Sequence, residues 1–155
     1  MIQIPNTPSP ELLSSAALEA AASNGATVAQ FRLAKHDMRG VSLRDGDVEN
    51  IGSESNVALS VRVVLSGAWG FAATTELTIQ SAVSTALRAI QVAKISAQVA
   101  ADEVILANEP IHGKQSWTLP IEIDAFEKTD SEIIEFLQNW NHKISGSSIV
   151  SHIES

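Results

Sequence analysis

Val57, Leu59, Val61, Val63 and Leu65 are apolar at every second position, with Ala58, Ser60, Arg62, Val64 and Ser66 between them. Successive side chains of a strand point to opposite faces, so this period of two specifies a β-strand with one face on a core. Two turn signals bracket the run. Asp45-Gly46 lies ahead of it, between residues 41–44 and 47–51. Ser66-Gly67 lies behind it, and residues 68–73 then return with Trp69 and Phe71. Asp-Gly between short strands favours a type I′ turn, because glycine accepts positive φ and the turn's twist matches that of the paired strands. Residues 26–36 carry Val28, Phe31 and Leu33 among polar neighbours and read as a further strand. The middle of the chain is thus predicted to be an antiparallel β-meander.

Helix signals lie on both sides. Residues 1–9 include Pro5 and Pro8 and read as an irregular lead-in. Ser9-Pro10 then supplies a hydroxyl N-cap followed by proline at the first helical position. Leu12, Leu13, Ala16, Ala17, Ala20 and Ala21 follow at helical spacing until Asn24-Gly25. Thr78 caps a long alanine-rich helix predicted to reach about Ala101, with Ile79, Val83, Ala86, Leu87, Ile90 and Ala97 along one stripe. Its many alanines suit close packing on a sheet. Residues 108–120, with Pro110, Gly113 and Pro120, read as an extended connection. Thr129 and Glu132 form a capping box for a helix carrying Ile133, Ile134, Leu137 and Trp140, which ends before Ser145-Gly146. Residues 147–155 alternate through Ile149, Ser151 and Ile153 as a strand would, and the alternation still runs at the chain end, which suggests a domain cut short. Grouped strands beside helices indicate the α+β class: a meander packed against the long helix and two further helices. Residues 10–155 are read as one domain.

Composition narrows the function. Of 155 residues, 45% are hydrophobic but only 5% aromatic, so the core must be built from Ala, Val, Ile and Leu. The absence of cysteine excludes a disulfide framework, a thiolate metal site and a Cys nucleophile within this chain. A net charge of −8 repels phosphate backbones and argues against a nucleic-acid partner. No segment approaches the roughly 20 apolar residues of a membrane span. The N-terminus lacks the charged and apolar regions of a secretory signal. The expectation is a soluble, cytoplasmic protein with no membrane partner.

Four strings give a more specific reading. They are Arg44-Asp45-Gly46 with Val48-Glu49, then Gly67-Ala68-Trp69-Gly70-Phe71-Ala72, then Thr75-Glu76-Leu77-Thr78 leading into the alanine-rich helix, and IEIDAF at residues 121–126. In this order they resemble the N-terminal α+β domain of the TldD/PmbA peptidases, also called the modulator of DNA gyrase family. The Trp-Gly-Phe-Ala run is more similar to the TldD branch than to the TldE (PmbA) branch. The resemblance implies a full-length protein about three times longer, in which this domain precedes a catalytic C-terminal β-rich domain. It implies zinc held by a His-Glu-x-x-x-His helix beyond this chain, with the metal polarising a peptide carbonyl and activating water. It implies unstructured peptides as substrates, and a TldE-like subunit or a homo-oligomer as partner. The chain itself would then be a non-catalytic region that supports the peptidase. The alternatives are the non-catalytic TldE/PmbA-like partner, or a free-standing interaction module.

The residues here carry no catalytic or metal assignment. His36, His112, His142 and His152 are the four histidines, and none begins the required motif. His36-Asp37 reads as a polar strand end, since adjacent residues rarely reach one ion. His142 and His152 sit on separate predicted elements, and His112 sits in a solvated loop. Ser66 lacks the strand-to-helix context of a nucleophile elbow. Asp45, Asp47, Glu49 and Glu54 do not match the calcium-loop spacing. Trp69 and Phe71 are the residues singled out for binding. Alternation places both on one face, and burial statistics favour that they cover the sheet under the long helix. The functional reading is that they line a domain or subunit interface, where aromatics are enriched.

Overall fold

The computed structural model describes residues 6–110, 112–146 and 152–155. They form helices α1 (Pro10–Ser23), α2 (Ile79–Ser96) and α3 (Asp130–Ser145), and strands β1 (Val28–Arg44), β2 (Asp47–Leu65) and β3 (Ala68–Thr74). The strands make one sheet of order β1-β2-β3, with β2 and β3 antiparallel. The class is α+β, as the sequence predicts. Two compact units share the chain. One holds the described residues of Met1–His36 and Asn56–Pro110, the other those of Asp37–Ser55 and Ile111–Ser155. β1 and β2 contribute residues to each.

In the first unit α1 begins as read. Ser9 Oγ accepts from the Leu12 N–H at 3.3 Å, and Pro10 opens the helix. Gly25, at φ +87°, stops it, donating to the Ala22 carbonyl at 3.0 Å. Leu13, Ala17 and Ala21 recur at i, i+4, i+8 and are fully buried. The register Leu59↔Thr74, Val61↔Ala72, Val63↔Gly70, Leu65↔Ala68 places alternate residues of β2 and β3 on one face. That face carries the core: Leu59, Val61, Val63 and Leu65 pack with Ala82, Ala86, Ala89, Ile90 and Ala93 of α2 and with the buried stripe of α1. Burying each branched side chain contributes about 1.5–3 kcal/mol. Small residues bring helix and sheet together. A Cβ on Gly70 would stand 1.9 Å from the Ala89 carbonyl oxygen and 2.7 Å from the Ala93 nitrogen.

The β2–β3 turn places Ser66 at φ 51° and Gly67 at φ 70°, and the β1–β2 turn places Asp45 at φ 50° and Gly46 at φ 92°. Both are left-handed at the two central positions, as a type I′ turn requires.

Four expectations are corrected. Trp69 and Phe71 do share a face, but α2 covers the other one: Ala68, Gly70 and Ala72 are buried beneath it, while Phe71 is 57% exposed. The long helix ends at Ser96 rather than near Ala101. Gln98 and Val99 donate to the carbonyls three residues back, at 3.1 Å each, and Val104 then donates to the Gly67 carbonyl at 2.8 Å, which turns the chain back to the β2–β3 hairpin. β1 is one strand across Gly40, and β2 is one strand across residues 52–56. There the two faces are alike in exposure, so no apolar period marks the strands, yet Ser55 Oγ still donates to Asp37 across the pair at 2.6 Å.

In the second unit α3 has the predicted capping box. Glu132 N–H donates to Thr129 Oγ1 at 3.2 Å, and the Glu132 carboxylate accepts from Thr129 N–H at 2.7 Å. Arg39 of β1 donates to Asp130 and to the Lys128 carbonyl, and Gln138 donates to the Gly46 carbonyl at 3.0 Å. A short 3-10 turn, Ala125–Glu127, capped by Asp124, escaped the sequence reading. The expected strand at 147–155 falls in part outside the described residues. Within 152–155 it amounts to one antiparallel bridge, Arg44↔Glu154, flanked by Leu43–Ser155 hydrogen bonds.

Candidate interface

The face of the sheet opposite α2 carries Ser60, Arg62 and Val64 on β2, paired with Ala73, Phe71 and Trp69 on β3. The Arg62 guanidinium lies over the Trp69 ring, 4.5 Å from its centroid, on the diagonal of the ladder. Its Nε donates to Gln30 Oε1 at 2.8 Å, which anchors the guanidinium. Val64, paired with Trp69, is only 4% exposed. The result is an aromatic platform: a half-buried indole under a cation, beside an exposed phenylalanine ring. A desolvated cation–π pair contributes about 2 kcal/mol, against about 0.5–1 when exposed, so covering this face would strengthen it. The signal that could have placed it is the opposite parity. Ala68, Gly70 and Ala72 are the small residues a close-packed alanine-rich helix needs, which leaves Trp69 and Phe71 for the other side.

The remaining candidates are dispersed. Asp37 is engaged by Ser55. His112 presents its backbone carbonyl to Gln115 at 3.3 Å. Ser66 sits in its turn. Arg44 pairs with Glu49 at 3.0 Å and with Glu154 at 2.9 Å. His152 Nδ1 lies 3.0 Å from Asp45 Oδ2, and the Ile153 N–H donates to Asp45 Oδ1 at 3.0 Å. These bonds, the histidine's first, hold the Asp45 carboxyl below the usual aspartate value. His142 lines a polar cavity of about 380 Å³ with Asp45, Asn141, Ser145 and Ile153. Asn141 is 3% exposed there, with its Nδ2 on Ser155 Oγ at 3.2 Å and its Oδ1 unpartnered. Sequence reasoning missed this cavity, because its residues come from three separate stretches. Among the described residues no three His, Cys, Asp or Glu side chains converge to hold a metal ion, so the residues present do not fit a zinc site. Among them, too, no helix is long and apolar enough to cross a membrane.

This fold has known relatives. Residues 29–93, from β1 through most of α2, match the family described as PmbA/TldA metallopeptidase domain 1. The region that carries the platform is therefore similar to the first domain of a metallopeptidase family. Over residues 29–93 the chain is similar to the PmbA/TldD family. No curated protein matches it. Among solved structures, it is similar to a candidate modulator of DNA gyrase from Bacteroides thetaiotaomicron, at 19% identity and TM-score 0.69, over 99% of this chain and 34% of that one. A second candidate gyrase modulator, from Thermotoga maritima, matches at 18% identity and TM-score 0.57, over 94% and 32%. TldE from Thermococcus kodakarensis matches at 13% identity and TM-score 0.53, over 82% and 28%. At these identities the likeness speaks for the fold, and the chain spans about a third of each matched structure. The joint family description and a TldE neighbour favour neither branch, so the TldD-branch reading gains no support from them.

Proposed function

We propose that this chain is the N-terminal, non-catalytic region of a cytoplasmic zinc metallopeptidase of the TldD type, acting as a scaffold. Its platform at Trp69 and Phe71 docks the catalytic domain of the same polypeptide or a TldE-like or identical subunit, so that the assembly can enclose unstructured peptides. The observation that carries this reading is the match of residues 29–93 to the first domain of a metallopeptidase family, in a chain whose described residues form no metal-holding cluster. The second reading is a non-catalytic TldE/PmbA-like partner subunit, which the joint family description leaves equally open. The deciding experiment measures zinc content and peptidase activity of the full-length gene product, with this chain beside it. Zinc and proteolysis in the long form alone are expected. Zinc in neither moves the chain to the partner reading, and zinc-dependent proteolysis by these 155 residues overturns the scaffold role.

A further inference from the structure

The sheet of the first unit divides its charge unevenly. Residues 26–36 and 56–75, which carry its strands, hold none of the 18 Asp and Glu of a chain whose net charge is −8. Ala29, Phe31 and Leu33 of β1 pack against the core. Gln30 and Arg32 alternate with them and so belong to the opposite face, where Gln30 meets Arg62. Arg32 stands two residues beyond Gln30, about 7 Å along the strand. Both arginines are exposed. Among the described residues no carboxylate pairs with either of them, whereas Arg39 has Asp130, and Arg44 has Glu49 and Glu154. The partners Arg62 does have, the Gln30 amide and the Trp69 ring, leave its charge uncompensated by any acid.

On an open face water solvates both guanidinium groups. Burial changes this, because a charge taken out of water without an opposite charge is strongly unfavourable. An apolar surface alone therefore makes a poor cover for these rings and cations. A carboxylate makes a good one, since its two oxygens match the fork of an arginine side chain. A nucleic-acid strand would also supply negative charge, but the net charge of −8 opposes it. As for source, about two thirds of the length of the matched structures lies outside the part this chain covers. A surface tethered to the domain docks at an effective concentration in the millimolar range, an advantage that a separate subunit lacks.

On the scaffold reading this face is buried, and we propose that it is buried by an acidic patch in the remainder of the full-length polypeptide. Asp or Glu side chains of that patch seat on Arg32 and Arg62, and an apolar group beside them covers Phe71. The sheet face thus selects its cover by charge, and the aromatic rings add contact area.

The test uses the full-length gene product. Arg32→Lys and Arg62→Lys keep the positive charge and supply a primary amine, which a water-soluble carbodiimide joins to any carboxylate in contact with it. Peptide mapping by mass spectrometry should find both positions linked to Asp or Glu beyond residues 1–155, in protein that still migrates as one chain. Links only between two polypeptides, links only within residues 1–155, or no link at these positions would overturn the proposal. So would a single-stranded oligonucleotide that binds the full-length protein and is released by Arg32→Gln. Charge at Phe71 gives a second readout, which separates the proposal from the scaffold reading. Phe71 is 57% exposed, so its replacement leaves the domain folded. Proteolysis between domains should be about tenfold faster in Phe71→Asp than in Phe71→Lys, because aspartate repels an acidic patch and also claims Arg62, its ladder partner. If the two variants speed it equally, the scaffold reading stands and the acidic patch is refuted. If neither speeds it, the scaffold reading fails and the proposal with it.

Discussion

Gly70 and Asp45 show how much one residue can fix here. Gly70 is an ordinary strand position in its backbone, yet it has no room for a Cβ: the Ala89 carbonyl would be 1.9 Å away. Since the obstacle is helix backbone, relief requires α2 to move off the sheet. Gly70→Ala should therefore cost about 3 kcal/mol of stability by urea unfolding. Gly40→Ala, where nothing lies within 4 Å, should change it by less than about 0.5 kcal/mol. Equal effects at the two positions would refute the close-approach account. Asp45 works through charge. Its folded carboxyl lies below the ordinary aspartate value of 3.8, because His152 and the Ile153 N–H both favour the carboxylate. A depressed pKa contributes stability above the unfolded value and loses it as pH falls through the folded one. The seating of residues 152–155 on β1 should hold at neutral pH and loosen below about pH 3.8. Exchange of the Leu43 and Ile153 amides reads this directly, and Asp45→Asn should remove the acid step while leaving the Arg44–Glu154 pair in place.

At the scale of elements, α2 contains a correctable fault. Thr85 is fully buried, and its Oγ1 has no hydrogen-bond partner. An unmatched buried hydroxyl costs about 1–3 kcal/mol. Valine has the same shape without the polar atom, so Thr85→Val should raise stability by about 1 kcal/mol in the same unfolding assay. A loss would mean that the hydroxyl is satisfied in solution. The α3 capping box is the converse case: Thr129→Ala should cost about 1 kcal/mol, seen as loss of helical circular dichroism at a lower urea concentration. These elements also show what the sequence could reveal. Ser9-Pro10, Thr129 with Glu132 and the Asp45-Gly46 turn were legible because a cap or a turn is decided by a few neighbouring residues. The continuity of β1 through Gly40 was not, because residues 37–38 are exposed, no apolar period marks them, and their pairing comes from a strand further along the chain. The end of α2 was misplaced for a similar reason: Val104 and Gly67, which turn the chain back, are far apart in sequence. Alternation grouped Trp69 with Phe71 but could not say on which side α2 would lie, and the candidate interface went unplaced with it.

For the whole molecule, the exposed Phe71 ring and the clamped Trp69 stand on a chain about a third the length of the structures it resembles. An open aromatic platform contributes little to its own domain and much to an interface, where aromatic anchors commonly account for 2 kcal/mol or more, roughly a thirtyfold change in affinity. Phe71→Asp separates the two roles. In this 155-residue chain the position is already wet, so unfolding stability should shift by about 0.5 kcal/mol or less. In the full-length protein the same change places a charge where the scaffold reading requires burial. It should weaken association or interdomain packing, read as a shift in light-scattering mass or as faster proteolysis between domains. Arg62→Gln removes the cation over the indole without adding a negative charge, and should show a smaller effect in the same direction. If both variants leave the long form's mass and protease resistance unchanged, the platform is not an interface, and the scaffold role must rest on another surface of the domain.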